Sequence, residues 1–185
     1  MIYYLNKKER IVMLNFLKVY ILFIVFFIVS IPIYVFADDF FKKTQVNSVY
    51  DAEIILPYGY QHDKSDGIIR DTLQKMVDVK LNFAGKYSIV RHSCGAGCMY
   101  ITLIDLSTGN EDYDIFNRFS LSEANVFQIN NAIYLTYPIS VKESYGVIMK
   151  YIPDIDNNPC YEQKFILQNN KLMEYSKMYE IKCDK

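Results

Sequence analysis

The chain has 185 residues and a formal net charge of −1, with 20 Lys plus Arg against 21 Asp plus Glu. Hydrophobic residues make up 51% of it, which excludes a disordered chain. No basic block stands out, which argues against nucleic acid or an anionic membrane surface as a partner.

From Val19 to Ala37 the chain carries no charge, and Lys7, Lys8, Arg10 and Lys18 precede this run. It ends in Val35-Phe36-Ala37, with small residues at the −3 and −1 positions of a cleavage site. That order is the one found in a secretory signal peptide over residues 1–37. Removing 37 residues leaves 148, with 16 basic and 20 acidic, enough for a single domain over 38–185. Met13 is an alternative start to Met1 and gives a leader of 25 residues. The same 19 uncharged residues come close to the roughly 20 that span a bilayer, so an uncleaved signal anchor is the alternative. Residues 38–185 are therefore expected to be periplasmic or secreted. Otherwise they are held outside the cytoplasm by a membrane anchor over 19–37.

Cys94, Cys98, Cys160 and Cys183 agree with export, since an even number in an oxidising compartment reads as two disulfides. Three connectivities exist, and pairing of neighbours is favoured. It gives Cys94–Cys98, closing a short loop for about 2 kcal/mol, and Cys160–Cys183, closing a longer one for about 3.5 kcal/mol.

After the leader, Val49 to Leu56 is expected to hold a short strand, and Pro57-Tyr58-Gly59-Tyr60 reads as a turn. Asp66 to Lys80 is predicted to be an amphipathic helix, because Ile69, Leu73, Met76 and Val77 share one face and Ser65 or Asp66 can cap its start. Gly85 can then take positive φ. Downstream the pattern is β. The expected strands are Tyr87–His92, Met99–Asp105, a polar one near Asp112–Ile115, Val126–Ile129, Ala132–Thr136, Tyr145–Ile152, Tyr161–Leu167 and Lys171–Ile181. Asn130-Asn131 and Asn169-Asn170 fit two-residue hairpin loops. The fold class is α+β and mostly β: an antiparallel meander sheet with one helix at about 66–80 and an N-terminal signal or anchor helix.

The most distinctive segment joins Phe83-Ala84-Gly85-Lys86-Tyr87, Cys94-Gly95-Ala96-Gly97-Cys98 and Asp105-Leu106-Ser107-Thr108-Gly109. It resembles a family of small, exported, largely uncharacterised bacterial proteins that share F-A-G-[HK]-Y, G-C-G-x-x-C and D-x-x-T-G over about residues 68–110. Ser93 stands where that pattern has Gly. The resemblance implies export and fold, and no chemistry.

His92, Ser93, Gly95 and Gly97 make the 92–98 segment the candidate functional loop. Gly95 and Gly97 let a tight loop close between the cysteines. Redox activity is disfavoured because the spacing is C-x₃-C rather than C-x-x-C at a helix start. Zinc at His92, Cys94 and Cys98 is disfavoured because a bridge removes the thiolates. Adjacent strand residues point to opposite faces, so His92 and Ser93 are poorly placed as base and nucleophile.

Asp154-Ile155-Asp156-Asn157-Asn158 opens like a calcium loop, but Pro159 and Phe165 occupy the positions that need Gly and Glu. Asp105, Glu111, Asp112 and Asp114 read as a solvated acidic rim. Tyr134, Tyr137, Tyr145, Tyr151 and Tyr161 read as sheet packing or as a binding surface. No catalytic residue, metal ligand or cofactor is assigned. The functional expectation is an exported, non-enzymatic, inhibitor-like module that binds an envelope protein or a glycan. The alternatives are a small hydrolase using His92 with a carboxylate or Ser93, and a membrane-anchored structural component of the envelope.

Overall fold

The computed structural model describes residues 35–63, 65–122, 126–155 and 158–183. The expected leader lies outside the described residues except for its last three. Among the described residues no helix is long and apolar enough to cross a membrane. Residues 39–185 form one compact unit.

Helix α1 (Val35–Lys43) places Lys42 and Lys43 in its last turn, where cations meet the negative end of the helix dipole. The Phe40 ring is buried against Gly146, where an added Cβ would lie 2.7 Å from it. Thr44 Oγ1 and Ser144 Oγ are 2.5 Å apart. These contacts bind the start of the compact unit to its central strands.

Among the described residues, twelve strands form three sheets, with every pairing antiparallel. The first sheet is β1 (Gln61–Asp63), β2 (Ile68–Arg70) and β3 (Met76–Val77). The second is β4 (Tyr87–Gly95), β5 (Cys98–Asp105) and β6 (Asn110–Asp112). The third is a meander of β7 (Gln128–Ile129), β8 (Ala132–Ser140), β9 (Gly146–Pro153), β10 (Cys160–Gln168) and β11 (Lys171–Glu174), with β12 (Tyr179–Ile181) also pairing with β10. The mostly-β, antiparallel reading of the sequence holds. Asn130-Asn131 and Asn169-Asn170 close their hairpins with φ of 50° and 67°, and of 49° and 57°, the left-handed angles such loops need.

The predicted helix over 66–80 does not form. That stretch folds as β2, a turn and β3. Gly67 (φ 73°) and Gln74 (φ 61°) adopt left-handed conformations inside it, which no α-helix tolerates. Asp71 Oδ1 accepts hydrogen bonds from the Leu73 and Lys75 backbone N–H groups at 2.9 Å. A short polar side chain thus offers the backbone a turn in place of a helix. Ser65 bonds to Asp63 rather than capping a helix, and Asp66 Oδ1 accepts from the Ile68 N–H. Val49–Leu56 likewise forms no strand. It is an extended segment held by single bonds from Tyr50 N to Gly85 O and from Ile55 N to Leu106 O.

The two faces of β4 and β5 explain the layering. Ile89, Met99, Ile101 and Leu103 point one way, into a core shared with Val147, Met149, Tyr151 and Phe165. Val90 and Ile104 point the other way, into a second core with Ile69, Val79 and Leu106. The β4–β5–β6 sheet is therefore a middle layer buried on both faces, which is why β5 reads as a nearly continuous apolar run.

Cys94–Cys98 closes the β4–β5 hairpin tip with a Cα–Cα distance of 5.1 Å. Cys160–Cys183 ties the C-terminal segment to the start of β10 at 5.2 Å. Both are the neighbour pairings expected from the sequence, and they fit an oxidising environment.

Candidate functional site

On the second face of the middle sheet, alternation aligns His92 of β4 with Tyr100 and Thr102 of β5 and Glu111 of β6. The register sets His92 opposite Tyr100 and Glu111 opposite Ile104. The turn after β2 supplies Asp71, and the Pro57–Tyr60 turn supplies Tyr60. Five segments thus meet at one imidazole.

His92 Nδ1 donates to Asp71 Oδ2 at 2.9 Å. On the other side of the ring, Nε2 lies 3.0 Å from Thr102 Oγ1, 3.4 Å from Glu111 Oε1 and 3.5 Å from the Tyr60 hydroxyl. Tyr60 and Tyr113 both donate to Glu111, one to each carboxylate oxygen, at 2.7 Å. The Tyr100 ring stacks on the imidazole with centroids 4.4 Å apart and planes within 5°. Tyr113 continues the stack outward at 6.2 Å.

Burial alone would raise the Glu111 pKa. Hydrogen bonds from His92, Tyr113, Tyr60 and Thr102 outweigh it and bring the value down to about 2. Burial and the bond to Glu111 push Tyr60 and Tyr113 upward, so both phenols keep the protons they donate. Burial, with the charges of Asp71 and Glu111 behind it, raises Tyr100 to about 12.

Aspartate, imidazole and hydroxyl stand in the order of an acid–base–nucleophile relay. Their exposure decides what the arrangement can do: His92 and Asp71 are 1% accessible and Thr102 is 0% accessible. Among the described residues no buried side-chain polar atom lacks a partner. At that exposure the relay does not reach solvent in this structure. Here it fastens the Tyr60 turn and the Asp71 turn to the middle sheet.

Among the sequence candidates, Ser93 is exposed on the face opposite His92, so the two do not form a couple. Cys94 and Cys98 are bonded to each other and their sulfurs are not thiolates. Gly95 (φ 130°) and Gly97 (φ 69°) sit at the exposed tip in conformations that favour glycine. The acidic rim is only partly a rim. Glu111 is drawn inward to 7% side-chain exposure, and Asp105 is bonded to Lys86 and Ser107, while Asp112 and Asp114 are exposed. Tyr134 and Tyr151 are buried sheet-packing residues, whereas Tyr145 is exposed.

Sequence reasoning missed Asp71, Tyr60 and Thr102 as partners of His92. The available signal was parity: Ser88, Val90 and His92 share a strand face, and so do Tyr100, Thr102 and Ile104. Comparison with family models, curated proteins and solved structures yields no match.

Proposed function

We propose that the protein is an exported, disulfide-braced binding module. In this reading it engages an envelope partner, protein or glycan, through the tip of the β4–β5 hairpin instead of transforming a substrate. The observation that carries the reading is the sealing of Asp71, His92 and Thr102 within the fold. The groups able to do acid–base chemistry are used up holding the scaffold. The surface offers a hairpin tip stiffened by Cys94–Cys98. Elsewhere on the described surface, Tyr58 is fully exposed and Leu73 and Tyr113 are half exposed. Tyrosine suits such a surface because it presents a large apolar body with a polar end at low entropic cost.

Site-directed photocrosslinking in intact cells tests this. A photoreactive residue at Ala96 is expected to give a discrete adduct that one at Lys171 does not, and the adduct should vanish when Cys94 and Cys98 are both serine. An absent adduct contradicts the reading. A hydrolytic activity on envelope material that disappears in His92→Gln would favour the hydrolase instead. Export is tested on the same cells, where the mature N-terminus is expected at Asp38. A chain retaining residues 19–37 would make it a tethered component.

A further inference from the structure

We propose that the binding surface at the hairpin tip continues along the free edge of β4, and that its ligand is an extended peptide carrying a carboxylate opposite Arg91. This inference rests on the protein being a binding module and specifies what it binds.

Alternate residues of β4 turn their backbone groups outward, away from β5. The Ile89 N–H and C=O both bond to the Asn82 side-chain amide, at 2.8 and 3.1 Å, so they point away from β5. Strand alternation then turns the backbone groups of Arg91 and Ser93 to the same side. Among the described residues none bonds to them. The Asn82 side chain caps the first half of this edge as a third strand would, and the second half is left open up to the 94–98 tip. An open edge is a template for another strand.

The space beside it is a cleft of about 420 Å³, lined by Asn82, Ile89 and Arg91 on one side and by Pro138, Ile139 and Ser140 on the other. The far wall is a poorer template. Tyr134 N–H donates to Phe127 O, away from β9, and alternation places Pro138 on that outward side. Proline has no N–H to give. At that point an incoming strand hydrogen-bonds more fully to β4 than to the far wall.

Charge selects the occupant. Lys80 and Asp78 in the cleft satisfy each other at 2.5 Å. The exposed Arg91 guanidinium lies 4.1 Å over the Tyr137 ring and makes no ion pair among the described residues. A second copy of this chain pairing edge to edge about Arg91 would set two arginines opposite each other, which is repulsive. A strand with Asp or Glu at that position supplies the complement.

The probe is a short synthetic peptide of alternating threonine and valine with a central glutamate, compared with versions carrying glutamine or lysine there. It is titrated into isotope-labelled protein lacking residues 1–37. The expected result is selective perturbation of the Arg91 and Ser93 amides and slowing of their hydrogen exchange. The lysine version should bind about tenfold or more weakly. Arg91→Pro removes an N–H that makes no ladder bond and should abolish binding, while Arg91→Glu should reverse the preference toward lysine. Perturbation centred elsewhere, indifference to the central charge, or no binding at millimolar peptide overturns the inference. Should Arg91→Pro fail to fold, Arg91→Glu and the amide exchange decide it. Loss of the peptide result with the Ala96 crosslink intact defeats the edge and leaves the binding module standing, whereas loss of both defeats the module.

Discussion

Replacing Asp71 by alanine should destabilise the fold more than almost any other single polar change. Its Oδ2 accepts a hydrogen bond from His92 Nδ1–H and its Oδ1 accepts from the Leu73 and Lys75 N–H groups. Leu73 and Lys75 are exposed, so their amides can turn to water and lose little. His92 is 1% accessible and cannot, so a buried donor loses its acceptor beside Glu111. Stripping a buried donor of its carboxylate acceptor costs about 3 kcal/mol. Asp71→Asn keeps an oxygen for the turn and lets the imidazole adopt the other tautomer, so it should cost about 1–2 kcal/mol. Urea denaturation of residues 38–185 measures both. At a slope of about 2 kcal/mol/M, the alanine midpoint falls by about 1.5 M and the asparagine midpoint by about 0.5–1 M. An alanine cost under about 1 kcal/mol, or equal costs for the two variants, would refute the pinning role.

Acid should weaken the fold through Glu111. Its folded pKa of about 2 lies below the ordinary 4.5, so its contribution is full above about pH 5 and is lost as pH falls toward 2. The size is at most about 3 kcal/mol, and Glu111→Gln should flatten the stability–pH curve across that window. Breaking the Cys160–Cys183 bridge with paired serines should cost about 3.5 kcal/mol, seen as a lower Tm, while the Cys94–Cys98 double serine should cost about 2 kcal/mol. Gly146→Ala places a methyl against the Phe40 ring and Thr44. It should cost about 1–3 kcal/mol and speed amide exchange in residues 39–44 specifically.

The β architecture was legible because its signals are local. The Asn-Asn pairs announce left-handed hairpin loops, and the run from Met99 to Asp105 announces a strand buried on both faces. The cysteine pairing was legible for a similar reason, each bridge joining neighbours in sequence. The 66–80 stretch misled because Ile69, Leu73, Met76 and Val77 fall at helical spacing by coincidence, while the deciding bonds come from the Asp71 side chain. Leu73 and Met76, the supposed buried face, are exposed. The cluster around His92 was hidden for a different reason. Asp71 reaches it across 21 residues and Tyr60 reaches Glu111 across 51. The sheet register that turns Glu111 inward is a product of the whole fold. A carboxylate in an acidic stretch looks solvated until its strand partner is known.

The sealing of His92 is directly measurable, and the chain carries an internal control. It has two histidines, and His62 lies exposed on β1. Timed acylation of the native protein with diethylpyrocarbonate, read by peptide mass spectrometry, compares them directly. The exposed His62 should be modified readily, and His92 should stay unmodified until denaturant opens the fold. Comparable rates for the two in native protein would mean that the Asp71–His92–Thr102 cluster meets solvent, and the case for a catalytic centre would replace the case for a scaffold.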